Sequence, residues 1–280
     1  MATQRSFKHS AQVFLGRLGL YHRVKSSFLY DLYWSAADPK LIANRYREVQ
    51  FYRNTLTGFG KGALIFDIGA NQGHKTDIFL RLGARVVAVE PDSSNQKILR
   101  QNFLECRLKK RPVTIVGKAV SDKSGKAIFL TDEPGSAKNT LSQKWADSLR
   151  TDSSRFGKKL AFAGHREIET ITLEELVRSF GVPYYIKIDV EGHEVNVLKG
   201  MRTAVPFVSF EVNLPEFAGE AKECIRILDQ LAPGGDFNQV SDCSRGFLYK
   251  GWQTRDAALE RLTSSNETCI EVFWRAPAFR

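Results

Sequence analysis

At 280 residues and 42% apolar content, the chain suits one α/β domain with an additional segment and is long enough for a large core. No window approaches the ~18–20 uninterrupted apolar residues of a membrane span, and the basic start MATQRSFKHSAQVFLGRLGLYHRVKSS has neither a continuous apolar block nor a small-residue cleavage pattern, so no secretory signal is expected. The net charge of +10 is uneven, with nine Lys/Arg against three Asp/Glu in residues 1–60. It fits solubility, an anionic membrane surface or an acidic glycan better than nucleic acid, because no recognition module or aromatic-interleaved basic stripe accompanies it.

Residues 1–60 read as a helical extension, separate from the domain expected over 61–280. Phe14, Leu15, Leu18 and Leu20 suggest a first amphipathic helix. Asp38-Pro39 is a strong helix start, a capping side chain followed by proline at the first helical position; Leu41, Ile42, Tyr46, Val49 and Tyr52 then recur at helical spacing. Such helices more often cap a sheet or cover a cleft than meet a membrane, and a peripheral membrane contact stands as the alternative.

The stretch ALIFDIGANQGHKTDIFLRLGARVVAVEPD (Ala63–Asp92) reads as strand, glycine turn, helix, strand and acid. Gly69 and Gly73 frame a turn in which backbone can lie against a ligand without a Cβ in the way, and Glu90 is the acid about twenty residues on that accepts ribose hydroxyls. This is a nucleoside-binding βαβ unit. Asn71 stands where a dinucleotide turn carries its second glycine, and Asp67 at the strand end would repel phosphates, so a nicotinamide-dependent dehydrogenase is the weaker alternative. S-adenosylmethionine fits better: Asp67 can face its ammonium, the amides around Ala70 and Asn71 its carboxylate, and Glu90 its ribose.

A helix around Ser94–Phe103 leads to a strand at Val113–Val116, and Ala119-Val120 leaves that strand's end near where an adenine ring would lie. Lys126–Leu130 is β-like. Residues 131–166 are polar and rich in Gly and Ser, expected to be a lid, a binding loop or disordered. Ile168–Ile171 resumes strand character, Leu173–Phe180 is a short helix closed by Gly181, Tyr184–Asp189 a parallel strand, His193–Lys199 a helix, Phe207–Val212 a strand and Ala221–Leu231 a helix. Phe237–Ser241 and Ile270–Trp274 read as final strands. Strands alternating with helices imply a mostly parallel sheet covered on both faces. The four cysteines, Cys106, Cys224, Cys243 and Cys269, lack C-x-x-C spacing, which points to reduced thiols in a cytoplasmic protein and to no zinc site.

YYIKIDVEGHEVNVLKG is the second informative stretch. Ligands bind outside the carboxyl ends of parallel strands, where Asp189, Glu191 and His193 fall, with Glu211 and Asn213 ending the next strand. Lys187 in the middle of an apolar strand requires a partner, Asp189 or Glu191. Three readings stay open: acids serving the helix N-terminus; a general base among Asp189, Glu191 and His193 acting on an acceptor hydroxyl; and a divalent cation on Asp189, Glu211 and Asn213. His74 and His165 are looser candidates, the first on a helix surface and the second in the lid.

FDIGANQG, IKIDVEGHEVNVLKGM and SFEVN, with the intervening AVSDKSG and ETITLEEL, resemble the FkbM-type S-adenosylmethionine-dependent methyltransferases from about Ala63 to the C-terminus. The resemblance implies a class I methyltransferase fold, Rossmann-like, with seven strands of which the last is antiparallel. It also implies methyl transfer to an oxygen acceptor, often a hydroxyl of a sugar or natural product, and cofactor contacts at Asp67, Gly69, Asn71, Gly73 and Glu90. DVEG stands where DNA amino-methylating enzymes carry an NPPY-like tetrapeptide. The acceptor and the oligomeric state are not implied. A non-catalytic S-adenosylmethionine-binding assembly protein is the rival from another class.

Overall fold

The computed structural model describes residues 38–104 and 112–279. The amphipathic helix expected around Phe14–Leu20 and Cys106 lie outside them. The first described helix, α1 (Pro39–Thr55), starts at the proline. β1 (Leu64–Ile68), α2 (His74–Arg81) and β2 (Arg85–Val89) form the first crossover unit, followed by α3 (Ser93–Asn102) and β3 (Val113–Val116). The second half contributes β7 (Tyr185–Ile188), α6 (Glu194–Lys199), β8 (Phe207–Asn213), α7 (Ala218–Leu231), β9 (Asp236–Val240), α8 (Arg255–Thr263) and β10 (Cys269–Arg275). One seven-stranded sheet runs β3-β2-β1-β7-β8-β10-β9. β10 is antiparallel to both neighbours, and β1 pairs in parallel with β2 and β7. This is the class I architecture that the motif resemblance implies.

Both faces of the sheet are covered because its strands are buried on both sides: every residue of β1 and of β7 is buried. One face packs on α1 and α2 through an aromatic cluster in which Tyr52, Phe79, Tyr185 and Phe273 lie 5.1–6.2 Å apart, Phe79 edge-on to both tyrosines and Tyr185 stacked on Phe273. From Pro39 onward the N-terminal extension is therefore not a separate layer. Val49, Phe51, Tyr52 and Leu56 share one core with Ile65 and Phe79. The other face packs on α7 and on the segment between β3 and β7.

That segment departs most from expectation. Ala119-Val120 forms β4, which leaves the main sheet and joins β6 (Gly164–Ile171) and β5 (Gly125–Thr131) in a three-stranded sheet of order β4-β6-β5. Between them lies a helix, α4 (Gln143–Thr151), whose N-cap Ser142 accepts from the Trp145 amide at 3.2 Å. Only Trp145, Ala146 and Leu149 face inward, too few apolar positions to stand out in a polar stretch. Trp145 is 1% exposed and meets Phe217 edge-on at 5.7 Å. Residues 131–166 are thus a structured wall rather than a loose lid. α5 (Leu173–Phe180) follows, capped by Thr172 and closed by Gly181. α8 also escapes periodicity, since only Ala258 and Leu262 of its nine residues are buried. Among the described residues no helix is long and apolar enough to cross a membrane, and Cys224, Cys243 and Cys269 are free thiols.

Candidate active site

A cavity of about 670 Å³, counting the space at its mouth, opens outside the carboxyl ends of β1, β2 and β7. Gly69, Asn71, Glu90, Ala119, Val120, and beyond them Asp189, Glu191 and His193, line it; Asp67, Ala70 and Gly73 do not.

The turn after β1 is shaped first by the protein's own packing. Gly69 has φ +79°, and a Cβ there would lie 1.7 Å from the Asp189 carbonyl oxygen. Gly73 has φ +87°, and its Cβ would lie 2.5 Å from Phe103 and 2.8 Å from Leu99. Glycine at 69 lets the ends of β1 and β7 close together, and glycine at 73 lets the turn sit on α3. Gly73 was expected to leave room for a ligand; its room is filled by α3. Asp67 is likewise corrected. It is buried, accepts from Thr76 Oγ1 at 2.5 Å and sits in register with Lys187 on β7. It faces a buried lysine of the protein rather than the cavity. Burial raises its pKa, with Lys187 opposing.

At the β2 end, Glu90 closes the wall. One carboxylate oxygen accepts from the Asn71 amide and the other from the Asp92 amide, each at 2.8 Å. The Asn71 amide therefore holds Glu90, not an incoming carboxylate. Burial lifts Glu90 to about 7 against these two bonds. Asn71 Oδ1 and Asn95 Oδ1, both buried, have no hydrogen-bond partner among the described residues, so two acceptors await donors in or beside this wall. Asp92 caps α3 and also accepts from Asn139 Nδ2 at 2.9 Å and from the Gly135 amide at 3.2 Å. Val89, Val120, Phe129 and Leu141 supply an apolar slot beside this end. Ala119 and Val120 stand where a flat base was expected, and the small sheet brings Phe129 opposite, which strand reading could not anticipate.

The β7 end is built differently. Lys187 is 3% exposed and donates to Asp189 at 2.7 Å. Oxygens of Asp189, Glu191 and Glu211 all lie within 4.8 Å of one another. Glu191 adopts φ +55°, a left-handed conformation rare for such a residue. Its carbonyl accepts from Thr140 Oγ1 at 2.7 Å, which ties the wall segment to the turn. Burial, then Glu211 and Asp189, pushes Glu191 well up. Burial and Asp189 push Glu211 to about 8.

The three readings of this stretch now separate. Glu194 serves the turn before α6, accepting from the Gly192 and Val190 amides at 3.1 and 3.3 Å; Glu191 does not share that task but faces the other acids. His193 shares a hydrogen bond of 3.0 Å with Ser121 Oγ, and burial lowers it to about 4, so the imidazole has little affinity for a second proton. For a dication, the donors Asp189, Glu211 and Asn213 do not fit: Asn213 Oδ1 accepts from Arg155 at 2.7 Å and the Lys187 ammonium already sits on Asp189. Arg155 also donates to the Leu214 carbonyl and to Glu216, pinning the wall over the ends of β8 and β10. Of its two expected partners Lys187 takes Asp189, and Glu211, expected as a cation ligand, lies with Asp189 and Glu191; both carry a signal in the sequence, a charged residue inside an apolar strand. His74 and His165 are exposed on α2 and β6, away from the cavity.

The family model described as the methyltransferase FkbM domain matches residues 67–249, most of the chain. The chain belongs to that family. The match takes in both ends of the cavity, from Asp67 to beyond Glu211. A curated relative, hexuronic acid methyltransferase AglP of Haloferax volcanii, is 29% identical over 171 residues, and the alignment spans 60% of this chain and 62% of that protein. Among solved structures, the METTL16 methyltransferase domain aligns at TM-score 0.43 with 11% identity, covering 84% of this chain and 82% of that one. The precorrin-6y C5,15-methyltransferase of Geobacter metallireducens aligns at 0.41 with 9% identity, covering 82% and 87%. At so low a TM-score neither likeness carries an argument. The two ends of the cavity differ in kind: a hydrogen-bonded end at β2 and an acid-crowded end at β7.

Proposed function

We propose that the protein is an S-adenosylmethionine-dependent O-methyltransferase whose acceptor is a hydroxyl of a sugar, glycan or small natural product. The observation that carries this reading is one cavity with Glu90 and two orphaned amide oxygens at one end and, at the other, Asp189 and Glu191, which cluster with Glu211 behind them. Bound S-adenosylmethionine supplies an activated methyl group. Glu90 and Asn71 would hold the nucleoside, with Val120 and Phe129 flanking the base. A hydroxyl gains reactivity by losing its proton, and a carboxylate with raised proton affinity is suited to take it. Asp189, held by Lys187, would orient the hydroxyl, and Glu191 and Glu211 would receive its proton. Positioning supplies much of the rate, since effective molarity alone is worth ~7–11 kcal/mol. The relative's name supports a sugar-derived acceptor, and the reduced thiols are in keeping with a cytoplasmic enzyme. Incubation with S-adenosylmethionine and a panel of glycans and hydroxylated small molecules should yield S-adenosylhomocysteine and a product heavier by one CH2. Cofactor binding with no turnover on any acceptor would favour the non-catalytic binder instead.

A further inference from the structure

Three carboxyl groups converge within 4.8 Å at the ends of β7 and β8, and Lys187, held at 2.7 Å on Asp189, is the ammonium beside them. Charges facing Glu191 and Glu211 come from every side. Lys187 lies on β7 and Asp189 just beyond its end, Glu194 on α6, and Cys269 and Glu271 on β10. Arg155 from the wall is spent on Asn213 and Glu216. Lys187 contacts Asp189 directly and opposes the rise of Glu191 and Glu211 only through space, so among the described residues these two face each other with no ammonium or guanidinium in contact. Two carboxyl groups so placed cannot both be ionised cheaply, and they titrate as a pair. The direction of both groups' shifts agrees with that geometry.

Resting on the cofactor reading above, we infer that Glu191 and Glu211 hold a shared proton in the ligand-free protein, release it when a permanently cationic ligand occupies the cavity, and accept the acceptor's proton when that charge is discharged. In the transfer, the acceptor O–H bond breaks as its oxygen forms the bond to carbon. The carbon–sulfur bond breaks with its electron pair remaining on sulfur, and the proton passes to the Glu191–Glu211 pair. The cluster thereby tells the charged donor from its neutral product by proton count. It also suits an acceptor that must lose a proton, a neutral hydroxyl, over a carboxylate that has none to give.

The test is calorimetric and needs no turnover. S-adenosylmethionine and S-adenosylhomocysteine share the ammonium, the carboxylate and the nucleoside, and differ in the sulfonium methyl. Each is titrated into the wild-type protein at pH 6.5, below the titration of a free α-amino group (about 7.7–8.0), in two buffers of different ionisation enthalpy. The charged ligand should release about one proton more than the neutral one. Equal release by the two overturns the inference while leaving the cofactor reading intact. Binding of neither overturns both. Glu211→Gln, checked for folding by its thermal transition, should abolish the difference; a Glu211→Gln protein that keeps it places the proton elsewhere and overturns the assignment.

Discussion

The two ends of the cavity solve opposite problems with the same kind of residue. At the β2 end, Glu90 receives two backbone amides at 2.8 Å and its neighbour Asp92 is tied into the wall by Asn139 and Gly135; the carboxylates are satisfied and rigid. At the β7 end, three acids crowd within 4.8 Å and share one lysine. Desolvation penalises both ends; two backbone amides oppose it at Glu90, while at the second end the neighbouring acids add to it. On the function proposed, the first end suits binding and the second suits proton exchange.

The sharpest way to break this arrangement is to separate the strands that present it. Gly69→Ala places a Cβ 1.7 Å from the Asp189 carbonyl oxygen at φ +79°. It should cost more than about 4 kcal/mol, seen as loss of soluble protein or of a cooperative unfolding transition; a near-normal transition would show that the close approach is not required. Lys187→Met comes next. It strands Asp189 and Asp67 without their cation, and since Asp189 is 30% exposed the cost belongs at the lower end of the range for broken buried pairs, about 3 kcal/mol by denaturant unfolding. A change of a few tenths would deny Lys187 its role.

A pair of conservative changes then tests whether the ends differ in kind. Glu90→Gln should weaken S-adenosylhomocysteine binding about 10- to 100-fold, the worth of a charged hydrogen bond. Glu211→Gln should leave that affinity within about threefold yet lower kcat about 100-fold. The reverse pattern would exchange the two roles.

The pH dependence of the cofactor-free protein is a smaller effect. Glu90 and Glu194 are each raised to about 7 from an ordinary 4.5. Between those values the folded protein retains protons that the unfolded chain has lost. Their contribution to stability is therefore greatest below about pH 4.5, falls as pH rises toward 7 and is level beyond it. Glu194→Gln should reduce the slope of unfolding free energy against pH in that window, and an unchanged slope would refute the assignment. Smallest of all, chelation with EDTA should leave activity unaltered, because the Lys187 ammonium already sits on Asp189; activity lost and restored by magnesium would reverse that view.

Much of this was legible along the chain. Runs such as LIFDI and YIKI need only their composition to be read as buried strands, and glycine after the first of them marks a backbone that must turn left-handed. Asp38-Pro39 and Gly181 marked helix ends because capping is local chemistry. α4 was hidden because it buries three positions in a polar stretch, and its partner Phe217 lies far away in sequence.

The sequence alone determined the kind of fold and the strand ends at which chemistry collects, because periodicity, caps and glycine turns act over a few residues. Only the tertiary structure decided what each acid does. Asp67 and Glu90 both end strands of one βαβ unit, yet one is turned to Lys187 across β7 and the other to the cavity. Glu211 acquires its role from Asp189 and Glu191 in the turn that follows a neighbouring strand. A carboxyl group's charge is set by what surrounds it in space, and those neighbours are brought together only when the sheet forms.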